Sequence, residues 1–103
     1  MKKRVVHDNR ALRELRQFTL EVQEDFQGYS ETLALEGRLE FPEARKIARN
    51  LFEIRLQHQG MYRGLYAYVR EDFIVILHYF QKKSQKTPQR NILIAQQRAK
   101  QYE

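Results

Sequence analysis

Phe73-Ile74-Val75-Ile76-Leu77-His78-Tyr79-Phe80-Gln81-Lys82-Lys83-Ser84-Gln85-Lys86-Thr87-Pro88-Gln89-Arg90 is the stretch on which the reading of the whole chain turns. Residues 73–80 form a near-continuous apolar, β-branched run. Such a run reads as a strand covered on both faces, inside a sheet. From Gln81 the composition turns polar and cationic, with Lys82, Lys83 and Lys86 close together. Pro88 suits the first turn of a helix, with Thr87 as its N-cap. A rigid inner strand therefore runs into a lysine-rich loop and then a helix, and such loops often carry function. A solvated loop that happens to be lysine-rich is the plain alternative.

Working back from this strand, the period in residues 51–57 is two. Phe52, Ile54 and Leu56 alternate with Glu53, Arg55 and Gln57, which reads as a half-buried strand. His58-Gln59-Gly60 turns the chain into a strand over Met61 to Val69, with Tyr62, Tyr66 and Tyr68 on one face and Arg63, Leu65 and Ala67 on the other. Arg70-Glu71-Asp72 then turns into the apolar run, completing a three-stranded antiparallel meander. Arg4 to His7 is a short strand expected to pair beside the last meander strand, since a lone strand leaves its backbone unpaired. Leu12, Leu15, Phe18, Val22 and Phe26 recur at helical spacing, and a break near Arg16 to Phe18 makes a helical hairpin. Gly37 is its natural stop. Residues 37–50, with Pro42 biasing Phe41 toward extended backbone, read as a connector. Ile92, Leu93, Ala95 and Ala99 lie on a terminal helix. The architecture is α+β, with helices expected over one face of the sheet and side chains exposed on the other.

A length of 103 residues is one domain, and an apolar fraction of 42% supports a folded core. A formal charge of +6 favours a polyanionic or acidic partner. Without cysteine there is no disulfide, thiolate or cysteine–zinc chemistry, and His7, His58 and His78 follow no metal-ligand spacing. No metal and no cofactor are expected. The basic start lacks the apolar core of a signal peptide, and no run is long enough to span a membrane, so a cytoplasmic protein is expected.

In a meander the third strand begins where the second and fourth end. Arg55, Arg63 and the lysine loop should then meet at one end of the sheet. Cations gathered there repel unless an anion lies between them. The alternative is that Arg63 pairs with Glu53 or Glu71 while the lysines face water. His78, inside the apolar run, reads as a satisfied core histidine and His58 as a surface one.

Leu51-Phe52-Glu53-Ile54-Arg55, Met61-Tyr62-Arg63-Gly64-Leu65-Tyr66 and above all Phe80-Gln81-Lys82-Lys83-Ser84-Gln85-Lys86-Thr87-Pro88 resemble the HigB branch of the RelE/ParE toxins, which includes many phage-derived members. The resemblance covers most of the chain and implies the compact RelE-like fold over residues 1–103. It also implies a toxin that cleaves mRNA in the ribosomal A site, neutralised by a cognate antitoxin, in this branch a small helix-turn-helix protein encoded adjacently. The family's basic strand position falls on Arg55, the arginine of its Tyr-Arg motif on Arg63, and the basic position after its last strand on Lys82. This chain departs from the family at Glu53, where some members carry a second basic residue, and at Thr87 and Pro88, where some carry a tyrosine. Arg63, Arg55 and Lys82 are the catalytic candidates. Lys83, Lys86, Gln85, Arg90 and Tyr62 are the candidates for holding RNA or the ribosome, Tyr62 by stacking on a base. Two rivals are a ParE-like inhibitor of DNA gyrase that cleaves nothing and a basic adaptor that binds RNA intact.

Overall fold

The inner strand lies between neighbours on both sides. In the computed structural model, which describes residues 2–84 and 86–103, it spans Phe73–Lys82. The elements in chain order are β1 (Arg4–His7), α1 (Asn9–Leu15), α2 (Leu20–Glu36), β2 (Ala44–Ala48), β3 (Leu51–Gln57), β4 (Met61–Val69), β5 (Phe73–Lys82) and α3 (Gln89–Ala99). A short 3-10 turn over Lys100–Tyr102 follows α3. The sheet has five strands in the order β1-β5-β4-β3-β2. β1 joins β5 in parallel, and β2 through β5 pair antiparallel.

Local chemistry explains the breaks. Asp8 caps α1 by accepting from the Arg10 backbone N–H at 2.8 Å. Thr19 caps α2 through its hydroxyl, and Gly37 ends that helix in the left-handed region at φ 79° with its N–H on the Leu33 carbonyl. α2 runs unbroken through Gly28. Gly64 leaves room for an aromatic ring, because a Cβ there would stand 2.9 Å from the Tyr79 ring.

Two expectations are corrected. Residues 37–50 are not all connector, because Ala44–Ala48 adds a fifth strand, antiparallel to β3. Only Ala44 of that strand is fully buried, so its sequence carries no clean period-two signal. Nor do helices cover one face only. α1 and α2 pack Ala11, Leu15, Val22, Phe26 and Leu33 on Ile54, Tyr66, Ile76 and Tyr79. α3 packs Ala95 and Ile92 on Leu65, Ala67, Val75 and Leu77 of the opposite face. The all-apolar β5 demands this, since its alternate side chains need cover on both sides.

A bulge in β5 sets the two faces. Leu65 pairs with His78 but Tyr66 pairs with Ile76, so Leu77 is the extra residue. β1 reaches only as far as Ile76, leaving the rest of the β5 edge to other groups. The Asp8 N–H donates to the Ile76 carbonyl at 2.9 Å. Arg98 Nη1 donates to the Leu77 carbonyl at 2.8 Å, and the Tyr79 N–H donates to Glu14 Oε1 at 3.1 Å. His78 is 5% exposed, with Nδ1 2.9 Å from Glu14 Oε1 and Nε2 2.7 Å from Asn91 Oδ1. Glu14 thus fastens α1, β5 and α3 together.

Burial alone would raise the Glu14 pKa. The bonds from His78, Arg98 and the Tyr79 backbone outweigh it and hold the group at about 2, below the ordinary 4.5. The stability this adds is present above the unfolded value of 4.5 and is lost as pH falls toward 2. Glu14→Gln should therefore destabilise the protein by about 2 kcal/mol at neutral pH. In urea unfolding curves, the gap from wild type should close as the pH approaches about 2.

Candidate functional site

The pairing register brings Arg55, Arg63 and Lys82 to one end and one face of the sheet. Arg55 lies directly opposite Arg63, Arg63 opposite Phe80, and Lys82 two residues further along β5. Residues at alternate positions and directly opposed share a face. Glu53, two residues before Arg55, lies on the same face, as does its partner Arg45 on β2. This is the face that α3 partly covers.

Glu53 sits at the centre and is completely buried. Its Oε1 is 3.2 Å from Arg45 Nε and 3.6 Å from Arg63 Nε. The Thr87 hydroxyl donates to its other oxygen. Thr87 was expected to cap α3, but Pro88 holds that position without a side-chain bond, and the threonine ties the loop to Glu53 instead. Arg63 is 4% exposed, and its Nη1 donates to the Tyr62 carbonyl at 2.9 Å. Its Nε is buried with no hydrogen-bond partner among the described residues. Lys82 is equally buried, inside the end of β5 rather than after it.

Burial is the main force on both cations. It lowers the Arg63 pKa, with Glu53 pulling it back up and Arg55 and Arg45 pushing it down again. It lowers that of Lys82 too, and the Arg63, Arg45 and Arg55 charges add to the depression while Glu53 opposes it. The half-buried Arg55 lies over the Phe41 ring, 5.9 Å from its centroid. The site is thus a cluster of cations whose charge one buried carboxylate only partly balances. A planar guanidinium whose Nε is ion-paired but not hydrogen-bonded, beside a lysine that sheds its proton more easily than usual, suits a phosphate ester.

The other candidates are placed differently. Lys83, Lys86 and Arg90 are exposed around the loop and the first turn of α3. Gln85 lies outside the described residues. Tyr62 is not brought to the site, because its register places it on the opposite face, edge-on to Phe18 at 4.9 Å between centroids. His58 faces α2, 3.5 Å from Glu21 and 3.9 Å from Asp25. The sequence does not disclose Arg45, hidden in the supposed connector; Glu53, a departure from the family pattern, is also the pairing alternative named for Arg63, and that pair forms here together with the convergence of Arg55, Arg63 and Lys82. The usable signal was the register, since Glu53 shares the polar side of β3 with Arg55.

Glu53→Ala should leave Arg63 buried without a counter-ion and cost about 3 kcal/mol. Glu53→Gln keeps the acceptor for Thr87 and should cost less. Chemical denaturation of the two variants beside wild type measures the difference. An unchanged midpoint for Glu53→Ala would mean that the carboxylate does not hold the site together.

Solved structures with this fold include three toxin structures. A double arginine-to-alanine variant of the E. coli toxin RelE in the free state superposes with a TM-score of 0.70 at 18% identity, over 98% of this chain and 98% of that one. The toxin–antitoxin complex RelBE2 from Mycobacterium tuberculosis gives 0.62 at 21% identity, over 80% of this chain and 100% of that one. The isolated E. coli RelE toxin gives 0.62 at 22% identity, over 79% and 86%. At such identities the likeness is one of fold. No curated protein matches the sequence. The family model described as "Phage derived protein Gp49-like (DUF891)" matches residues 13–100. With that model spanning most of its length, the chain belongs to the phage-derived Gp49-like family and carries the fold of the RelE toxins.

Proposed function

We propose that this protein is the toxin of a toxin–antitoxin system, of the HigB type, and that it cleaves mRNA in the ribosomal A site without a metal ion. The observation that carries the reading is the buried Arg63, ion-paired to Glu53 and gathered with Lys82 and Arg55 at one end of a RelE-type sheet. A gyrase-binding inhibitor has no need for a depressed lysine beside a buried guanidinium. The toxins in the similar structures, one of them solved with its antitoxin, support a partner antitoxin here as well.

RNA brings its own nucleophile. The ribose 2′-oxygen bonds to the adjacent phosphorus, the bond to the 5′-oxygen breaks, and the products are a 2′,3′-cyclic phosphate and a 5′-hydroxyl. Arg63 clamps the scissile phosphate through its planar guanidinium. Arg55 and Arg63 hold the extra negative charge of the transition state. Lys82 accepts the 2′-hydroxyl proton, for which its lowered pKa fits it. The leaving 5′-oxygen takes a proton from water while Lys82 returns its own to solvent, so no net proton is gained or lost. Lys83, Lys86 and Arg90 hold flanking phosphates or ribosomal RNA.

Arg63→Ala should slow single-turnover cleavage on programmed ribosomes by about 10²–10³-fold even at saturation, with an unchanged circular dichroism spectrum. Lys86→Ala should be rescued by more ribosomes. A folded Arg63→Ala protein cleaving at the wild-type rate would place the chemistry elsewhere.

If Lys82 is the base, the rate should rise with pH and level off once the lysine is deprotonated, at a pH below the ordinary lysine value because burial and Arg63 depress it. Lys82→Arg keeps the charge but not the titration. It should remove this limb from the pH–rate profile, and a variant profile that keeps the limb would exclude Lys82 as base.

A further inference from the structure

The face that carries Glu53 and Arg63 continues beyond them. α3 stands as a wall beside it and leaves a groove of about 620 Å³ against the far ends of β3 and β4. Leu51 and Ala67 form its floor. Leu51 lies two residues from Glu53 on β3, and Ala67 four from Arg63 on β4. At about 3.3 Å per residue the groove floor lies roughly 7 Å from Glu53 and about 13 Å from Arg63, along the same strands.

Its lining has a definite chemistry. Arg49, Arg70 and Lys100 supply positive charge, against the single carboxylate Glu103. None of the three cations forms an ion pair with a described residue. Gln96 and Gln97 offer side-chain amides from α3, and Leu93 stands beside them half exposed. Cations for phosphates, amides for base edges and an apolar floor for base faces are what a single-stranded nucleic acid uses. An acidic protein segment would also suit the cations. Position on the sheet decides between them, because a strand with one phosphate at Arg63 must run on from that point, and the groove lies further along the same face, past the covered Glu53 and Leu65.

We infer that the groove between α3 and the β2–β3 and β4–β5 turns is a second RNA subsite, which holds the nucleotides flanking the cleaved linkage through Arg49, Arg70 and Lys100. The inference rests on the RNA-cleaving reading above. It gives the fold a bound tract rather than a single phosphate contact, and it assigns work to cations far from the lysine loop.

The test is binding of fully 2′-O-methylated single-stranded RNA, which lacks the nucleophile and stays intact, measured by fluorescence anisotropy. Oligomers of about three and about nine nucleotides separate contact at the site from contact in the groove. The variant combines Arg49→Ser, Lys100→Ser and Arg70→Asn, with asparagine chosen because residue 70 has φ 60°. Wild type should bind the longer oligomer roughly tenfold more tightly, with a salt dependence steeper by about 2 in log–log slope than the variant's. The variant should lose that length advantage while binding the short oligomer as wild type does. Equal affinity of variant and wild type for the longer oligomer overturns the inference. If the same variant no longer forms a complex with its co-expressed antitoxin, the groove is a protein dock instead. A wild type that binds neither oligomer also overturns it. The cleavage reading fails separately, through an Arg63→Ala protein of undiminished rate.

Discussion

A carboxylate with no exposure to solvent, surrounded by arginines and a lysine, is the constraint on which the functional end of this protein depends. Arg45, Arg55, Arg63 and Lys82 come to one face because the strand register leaves them no other place. Burying Arg63 and Lys82 side by side is unfavourable in a medium of low dielectric constant unless a negative charge is present. Glu53 supplies that charge for the free protein and at the same time fixes Thr87, the residue that brings the lysine loop back over the sheet. One carboxylate cannot balance four cations. The remainder is a standing attraction for an anion at this end of the sheet.

The same economy governs the other side of β5. A parallel strand of four residues covers less than half of its edge, and the exposed carbonyl and amide beyond it would otherwise invite pairing with another chain. Glu14 and Arg98 occupy those groups, one from α1 and one from α3. His78, which lies beside the bulge, is held between Glu14 and Asn91 and belongs to this framework rather than to the cationic end. Lys82 and the structural histidine are thus only a few residues apart on β5 but sit in different surroundings, divided by which neighbours reach them.

Similarity to the RelE toxins at 18–22% identity places the backbone, and the Gp49-like family places the sequence. Neither assigns chemistry, since one fold carries nucleases and simple binders alike. What bears on chemistry is local: the buried guanidinium, the depressed lysine and the groove that continues from them along β3 and β4.

Local pattern is enough to identify the strand that anchors the sheet, the meander around it, the helical hairpin with its stop at Gly37 and the shared end of Arg55, Arg63 and Lys82. These follow from short-range pattern: an unbroken apolar run, a period of two, a period of about 3.6 and the geometry of tight turns. Long-range pairing is what makes residues 44–48 a fifth strand, since an edge strand is specified by its neighbour's register more than by its own side chains. The tertiary structure alone sent α3 to the opposite face from α1 and α2, because which face a helix covers depends on the path of its loop. It also turned Tyr62 toward Phe18 and buried Glu53 among cations. Alternation along β3 marks Glu53 as facing away from the apolar side, and period-two patterns equate that with facing water. Here the second face is covered too, by the loop that ends in Thr87, and a contact spanning 34 residues of sequence leaves no trace in local periodicity.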